Sequence, residues 1–282
     1  MSPQPAGRPR ARQAAVLGAP IAHSLSPLLH RAAYARLGLD GWTYGRHEVD
    51  EAALPGFLDG LDASWAGLSL TMPLKRAVLP LLDETDPTAL AVHAVNTLIF
   101  RADGARYGEN TDVPGFAGAL RESGVAAVER AAVLGGGATA GSAIAALAEL
   151  VKGPITVFVR DPAKLAEFDD LVAHFGLELE PRPFREAERA ADHDLVVNTT
   201  PAGVADDLAE RLPARVGTLF DVVYHPWPTA LAAAWSARGG TVLGGRELLL
   251  HQAVRQVELM TGIGDRTEEI LEAMRAALAA EG

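Results

Sequence analysis

The chain has 282 residues, 49% apolar and 22% charged, with a formal net charge of −11 and no cysteine. This is a globular composition. Its acidic balance argues against a nucleic-acid binder, and the missing cysteine excludes disulfides, thiolate metal sites and a cysteine nucleophile. No apolar run is long enough to span a membrane, and the length favours two domains over one. The expectation is a cytoplasmic protein, monomer or homodimer, that handles a small molecule without a metal and binds neither nucleic acid nor membrane.

The opening MSPQPAGRPRAR (1–12) is rich in Pro and Arg and lacks an apolar core. It reads as a disordered tail and not as a secretory signal. QAAVLG (13–18) is a first strand closing on Gly18. SPLLHRAAYARLGL follows with apolar residues at 28, 29, 32, 33 and 37, a helical spacing, and Pro27 suits a first helical position. WTYGRHEV (42–49) reads as a strand, DEAALPGFLDGL as a helix broken near Pro55, and WAGLSL (65–70) as another strand. Residues 97–110 form a hairpin turning at Asp103-Gly104.

From residue 131 apolar strands (AAVLG, ITVFV, DLVVNTT, TLFDVVY, TVLG) alternate with helical stretches (TAGSAIAALAEL, PAKLAEFDDLVAHF, TALAAAWSARG). That alternation predicts a doubly wound parallel sheet. From about 245 the chain is helical to its end.

AAVLGGGATAGSA (131–143) places Gly135, Gly137 and Ala140 in G-x-G-x-x-A between a strand and a helix. Glycine at 135 permits the tight turn, and glycine at 137 lets the backbone approach a pyrophosphate. A small residue at 140 lets the helix pack on the sheet with its N-terminus toward the phosphates. The next strand closes on VFVRDPAK. Val159 cannot accept from a ribose hydroxyl, whereas Arg160 and Lys164 suit a 2′-phosphate. Asp161 reads as the N-cap of the following helix, with Pro162 at its first position. The pattern favours NADP over NAD.

The N-terminal half gathers hydroxyls and amides at element ends. In HSLSP, Ser24 and Ser26 flank a helix start, which makes either a carboxylate cradle or a plain N-cap by Ser26. GLSLTMPLK (67–75) runs from an apolar strand into Thr71 and then Pro73 and Lys75, the last two being residues that a strand interior tolerates poorly. HAVNTL supplies Asn96. GENTDVPGF supplies Asn110, Thr111 and Asp112, the last an N-cap on its simplest reading.

Taken in order, HSLSP, TMPLK, AVNT, ENTD, the glycine turn, NTTPAGV, DVVYHPWPT and LLLHQA resemble the shikimate dehydrogenase family from residue 13 onward. The resemblance implies an α/β fold of two domains. An N-terminal α/β substrate domain (13–111) is completed by C-terminal helices (245–282), and a Rossmann-like, doubly wound dinucleotide-binding domain (112–244) is inserted between them. It implies Ser24 and Ser26 on the substrate carboxylate, and Thr71, Asn96, Asp112 and Gln252 on the ring hydroxyls. Lys75 and Asp112 form the catalytic pair, with Tyr224 near substrate and nicotinamide. Gly135, Gly136, Gly137, Ala138, Arg160, Lys164, Thr199, Val222 and Gly245 are then the NADP-binding residues.

The chain departs from the family pattern in four places. Ser69 replaces the usual asparagine, Ala138 a glycine, and Val159-Arg160-Asp161 the Asn-Arg-Ser/Thr motif, while Arg246 replaces an apolar residue. The implied reaction is reversible NADP-dependent reduction of 3-dehydroshikimate to shikimate. An NAD-dependent quinate/shikimate dehydrogenase is the alternative within the class, and Ser26 leans away from quinate. A regulatory paralogue that binds ligand without turnover is the alternative outside it; the joint presence of Lys75 and Asp112 argues against that.

Overall fold

The computed structural model describes residues 12–281. The expected tail therefore lies outside the described residues except Arg12, which is not tail but opens the first strand, where its guanidinium donates to the Trp65 carbonyl at 2.7 Å. In chain order come β1 (Arg12–Gly18), α1 (Ser26–Leu37), β2 (Trp42–Glu48), α2 (Leu54–Asp59), β3 (Trp65–Leu70), α3 (Leu74–Ala77) and β4 (Glu84–Thr85). Next are α4 (Pro87–Val92), β5 (Thr97–Phe100), β6 (Arg106–Glu109), α5 (Asp112–Glu122), β7 (Ala131–Leu134), α6 (Ala138–Leu147) and β8 (Ile155–Val159). The rest are α7 (Asp169–Phe175), β9 (Leu179–Pro183), β10 (Leu195–Asn198), β11 (Thr218–Asp221), α8 (Ala230–Ala237), β12 (Thr241–Gly244), α9 (Gly245–Thr261) and α10 (Thr267–Glu281).

The chain forms two compact units. Of the described residues, one holds those from Arg12 to Glu84, with Asn96–Gly108 and those from Gln256 to Glu281; the other holds Thr85–Val95 and Glu109–Arg255. Residues 85–95, 109–111 and 245–255 thus group with the second unit, although the motif boundaries assign them to the first domain.

The first sheet has the order β2-β1-β3-β5-β6-β4. β1 runs parallel to β2 and β3, with Leu17 opposite Leu70, and β5 runs antiparallel to β3, with Thr97 opposite Ser69. The end of β1, the end of β3 and the start of β5 therefore share one edge, which gathers HSLSP, TMPLK and Asn96 in one place. The expected hairpin is present: Arg101 and Ala105 close its turn, with Gly104 at φ +90°. Pro55 does not break a helix. It sits in the first turn of α2, where its missing N–H costs nothing.

The second sheet has the order β12-β11-β10-β7-β8-β9, parallel throughout. Alternate residues face opposite sides. Val133, Val157 and Val197 join one core, while Leu134, Phe158 and Val196 join the other. Burial on both faces explains the unbroken apolar runs. Order reverses between β7 and β10, the switch point where such sheets bind ligands. β9 was not expected, because Pro181 and Pro183 interrupt it; as the edge strand it needs fewer ladder donors. The helix expected over 162–175 is two pieces, a 3-10 run Pro162–Phe168 and then α7. No described helix is long and apolar enough to cross a membrane.

Candidate active site

In the first unit, β1 stops at Gly18 because the turn after β3 docks on it. A Cβ at Gly18 would collide with Thr71 Cγ2 and lie 2.9 Å from the Met72 carbonyl. The Ala19 amide donates to that same carbonyl and the Thr71 amide to Leu17, both at 3.0 Å. Pro73 then caps α3, whose second residue is the partly buried Lys75. The proline thus starts the element that carries the lysine.

Ser26 is not an N-cap. The cap position is Leu25, without a side-chain bond, and Ser26 is already helical and buried. The Ser24 Oγ accepts from the Ser26 amide at 3.3 Å. The capping alternative thereby falls away.

Beneath these residues runs a buried polar network that the motifs do not reveal. The Tyr44 hydroxyl donates to Ser69 Oγ at 2.6 Å, and Ser69 donates to Gln256 Oε1 at 2.7 Å. The Gln256 amide donates to Thr97 Oγ1 at 3.0 Å and to the Asn96 carbonyl at 3.3 Å, while Thr97 donates to Asn96 Oδ1 at 2.9 Å. Ser69, the departure from the family pattern, is the link between Tyr44 and Gln256.

His30 stacks on Tyr44 at 3.8 Å between centroids and bonds Gln256 Oε1 through Nε2 at 3.2 Å. Because that oxygen can only accept, Nε2 carries the proton. Nδ1 is buried without a partner among the described residues. A second proton would be stranded there. Burial accordingly lowers the His30 pKa to about 3, with the Gln256 bond opposing, and pushes the Tyr44 phenol up. The sequence singled out Ser69 and Asn96 separately, but their hub Gln256 went unremarked, although it stands one helical turn after Gln252.

In the second unit the glycine turn sits at the switch point. Gly135 has φ +112°, and a Cβ there would lie 2.5 Å from Thr199 Oγ1. Thr199 itself donates to the Leu134 carbonyl at 2.8 Å. Gly136 faces Val159, leaving 2.9 Å for a Cβ, whereas Gly137 opens on free space. α6 starts at Ala138 with no side-chain cap, so its first amides are left to a ligand or water. Gly245 is needed for a close approach, since a Cβ would collide with the Val222 carbonyl. Arg160 and Lys164 are exposed after β8, and Asp161 accepts from the Ala163 amide at 3.1 Å, the N-cap that was expected. Tyr224 is partly buried, which raises its pKa. A further network went unforeseen: buried Asp221 accepts from Thr229 at 2.8 Å and Asn198 at 3.1 Å, and burial raises its pKa. Arg246 keeps a buried Nε without a partner among the described residues, and nothing in the structure explains it.

Asp112 does not cap α5. The Asn110 carbonyl oxygen accepts from the amides of Asp112 and Val113 at 3.1 and 3.3 Å, and its NH2 donates to the Ala94 carbonyl and Ser142 Oγ at 2.9 and 3.0 Å. Asp112 is the first helical residue, its carboxylate buried and not needed for the cap. Beside it, Thr111 donates to Gln252 Oε1 at 3.5 Å, and the Gln252 amide donates to the Leu249 carbonyl at 2.8 Å. The second unit thus holds Asp112, Gln252 and the residues expected to bind a dinucleotide, and the first holds Ser24, Ser26, Thr71, Lys75 and Asn96.

Residues 16–98 match the family described as the shikimate dehydrogenase substrate binding domain. The shikimate dehydrogenase (NADP(+)) of Methylobacterium radiotolerans is 39% identical over 280 residues, 95% of this chain and 98% of that protein. The crystal structure of Mycobacterium tuberculosis shikimate dehydrogenase is similar with a TM-score of 0.86 at 44% identity, covering 96% of this chain and 100% of that one. Shikimate 5-dehydrogenase from Thermus thermophilus, solved with NADP(H) and shikimate, gives 0.79 at 36% identity over 94% and 99% of the two chains. The chain belongs to the shikimate dehydrogenase family.

Proposed function

We propose that this protein catalyses the reversible NADP-dependent reduction of 3-dehydroshikimate to shikimate, with Lys75 and Asp112 as its acid–base pair. The observation that carries the reading is the start of α5. There Asn110 caps the helix, and Asp112 is set as a buried acidic residue at the first position of α5, beside the Thr111–Gln252 contact. Ketone reduction places negative charge on oxygen, and a lysine ammonium both stabilises that charge and delivers the proton. Asp112 orients the ammonium and binds the reacting hydroxyl. Ser24 and Ser26 hold the carboxylate, while Thr71, Asn96 and Gln252 hold ring hydroxyls, with Tyr224 beside the reacting ring.

The residues present fit the dinucleotide, which supplies the hydride when bound. Gly137 leaves the α6 amides open, and Asp161 is committed to its cap beside the exposed Arg160 and Lys164. Steady-state kinetics test the assignment with 3-dehydroshikimate and shikimate, and with quinate as competitor, using both cofactors. NADPH and shikimate should dominate, and turnover mainly of quinate with NAD would overturn it. Lys75→Ala should lower kcat by about 10²–10⁴-fold with little change in KM; retention of a tenth of the activity would remove Lys75 from the chemistry. Arg160→Ala should raise KM for NADPH far more than for NADH.

A further inference from the structure

The helices α5 and α9 meet along a seam in the second unit. A Cβ at Gly115 would lie 3.0 Å from Gln252 Cβ, and one at Gly118 would lie 2.8 Å from His251 Nδ1. Residues 115, 118 and 122 follow one face of α5. One turn beyond Gly118, that face ends on Glu122. The Nδ1 side of the His251 ring therefore packs against the α5 backbone, and its Nε2 points to Glu122 Oε2 at 2.8 Å. Glu247, one turn before His251 on α9, completes a trio whose ligand atoms all lie within 4.8 Å of one another.

We propose that Glu122, Glu247 and His251 bind a divalent transition-metal ion of the zinc class at the seam of α5 and α9. Zinc takes imidazole nitrogen and carboxylate oxygen at about 2.0–2.2 Å, so two such atoms on one tetrahedral ion stand about 3.4 Å apart. Small rotations of the two glutamates bring the trio to that spacing. The imidazole needs none, because the missing side chain at Gly118 already seats its ring. Three protein ligands with an exposed glutamate leave the fourth position to water. Two carboxylates outweigh one neutral imidazole in charge, and Glu122 adds to the negative C-terminal end of the α5 dipole, so a cation is favoured. The imidazole selects zinc-like ions over magnesium and calcium, which take oxygen ligands. The bound ion cross-links α5, which begins at Asp112, to α9, which carries Gln252.

The test is calorimetric titration of the tag-free full chain with zinc chloride, with melting temperature read alongside and magnesium chloride as contrast. One zinc per chain should bind and raise the melting temperature, and magnesium should do neither. Glu247→Gln and His251→Gln should each weaken binding at least tenfold and abolish the zinc-dependent rise. Far-UV circular dichroism and the zinc-free melting temperature of each variant control for folding, and the zinc-dependent rise is read relative to that variant's own zinc-free value. Absence of binding overturns the proposal and leaves His251 as a hydrogen-bonded clamp on Glu122. Zinc binding that both variants retain, or an equal shift with magnesium, overturns it as well.

Discussion

In the second unit the polar ends of β7, β11 and β12 are made by backbone brought so close that only glycine fits, at Gly135 beside Thr199 and at Gly245 beside the Val222 carbonyl. In the first unit the corresponding edge is held by side chains, a buried relay from Tyr44 through Ser69 and Gln256 to Thr97 and Asn96. The two constructions fail differently. A backbone cradle admits no added carbon, whereas a side-chain relay keeps its shape only while each donor finds its acceptor. Open backbone amides at a helix start suit phosphate groups whatever is attached to them. The relay fixes hydroxyls and amides at set angles, which suits a polyhydroxylated ring.

The harshest way to break the comparison is Gly245→Ala. The added methyl group would run into the Val222 carbonyl oxygen, and neither partner is a movable side chain. The expected cost is about 4 kcal/mol, the upper range for one substitution. Denaturant unfolding reads it, and any protein that survives should show a raised KM for NADPH with that for 3-dehydroshikimate held. A variant as stable as its parent would mean that this close approach does not exist.

Gly135 was legible because local chemistry dictates it, whereas Gly245 entered only through the family resemblance. Gly135 and Gly137 stand at fixed offsets between a strand and a helix, and that spacing alone locates the turn. The relay was not legible, since Tyr44, Ser69 and Gln256 lie far apart in sequence and meet only through sheet register and a C-terminal helix. Capping misled for a related reason. Asp112 has the right residue type for an N-cap, yet Asn110, two residues earlier, wins that role because its amide also reaches Ala94 and Ser142. Competition between two good capping residues is decided by tertiary partners, which a local reading cannot see.

Gln256→Leu breaks the relay at its hub. The Ser69 hydroxyl and the His30 Nε2–H lose their acceptor while staying buried, and each such orphan costs about 1–3 kcal/mol. The expected loss is about 3 kcal/mol. KM for 3-dehydroshikimate should rise and KM for NADPH should hold, the mirror image of Gly245→Ala. Ser69→Ala, which orphans only the Tyr44 hydroxyl, should cost less, about 1–2 kcal/mol, with the same split between KM values. A rise in both KM values would mean that the relay supports the whole fold and not one edge of the first sheet.

The mildest probe is acid, and here the two units differ in sign. His30 has its pKa lowered to about 3 in the folded chain, against about 6.5 when unfolded. Between those values the unfolded chain binds a proton that the folded chain refuses. The contribution is therefore whole above pH 6.5 and is lost as pH falls toward 3. From pH 7 to pH 5 the loss is about 2 kcal/mol, at 1.36 kcal/mol per unit once the unfolded imidazole is charged. Asp221 behaves oppositely. Burial raises its pKa, so its desolvation penalty is present at neutral pH and is relieved as pH falls through the folded value. Acid should thus weaken the first unit through His30 while easing the buried carboxylate of the second. Urea unfolding at pH 7, 6 and 5 checks this: His30→Gln should flatten the decline, and Asp221→Asn should leave it at least as steep. Parallel curves for parent and His30→Gln would show that the buried imidazole is not what acid attacks.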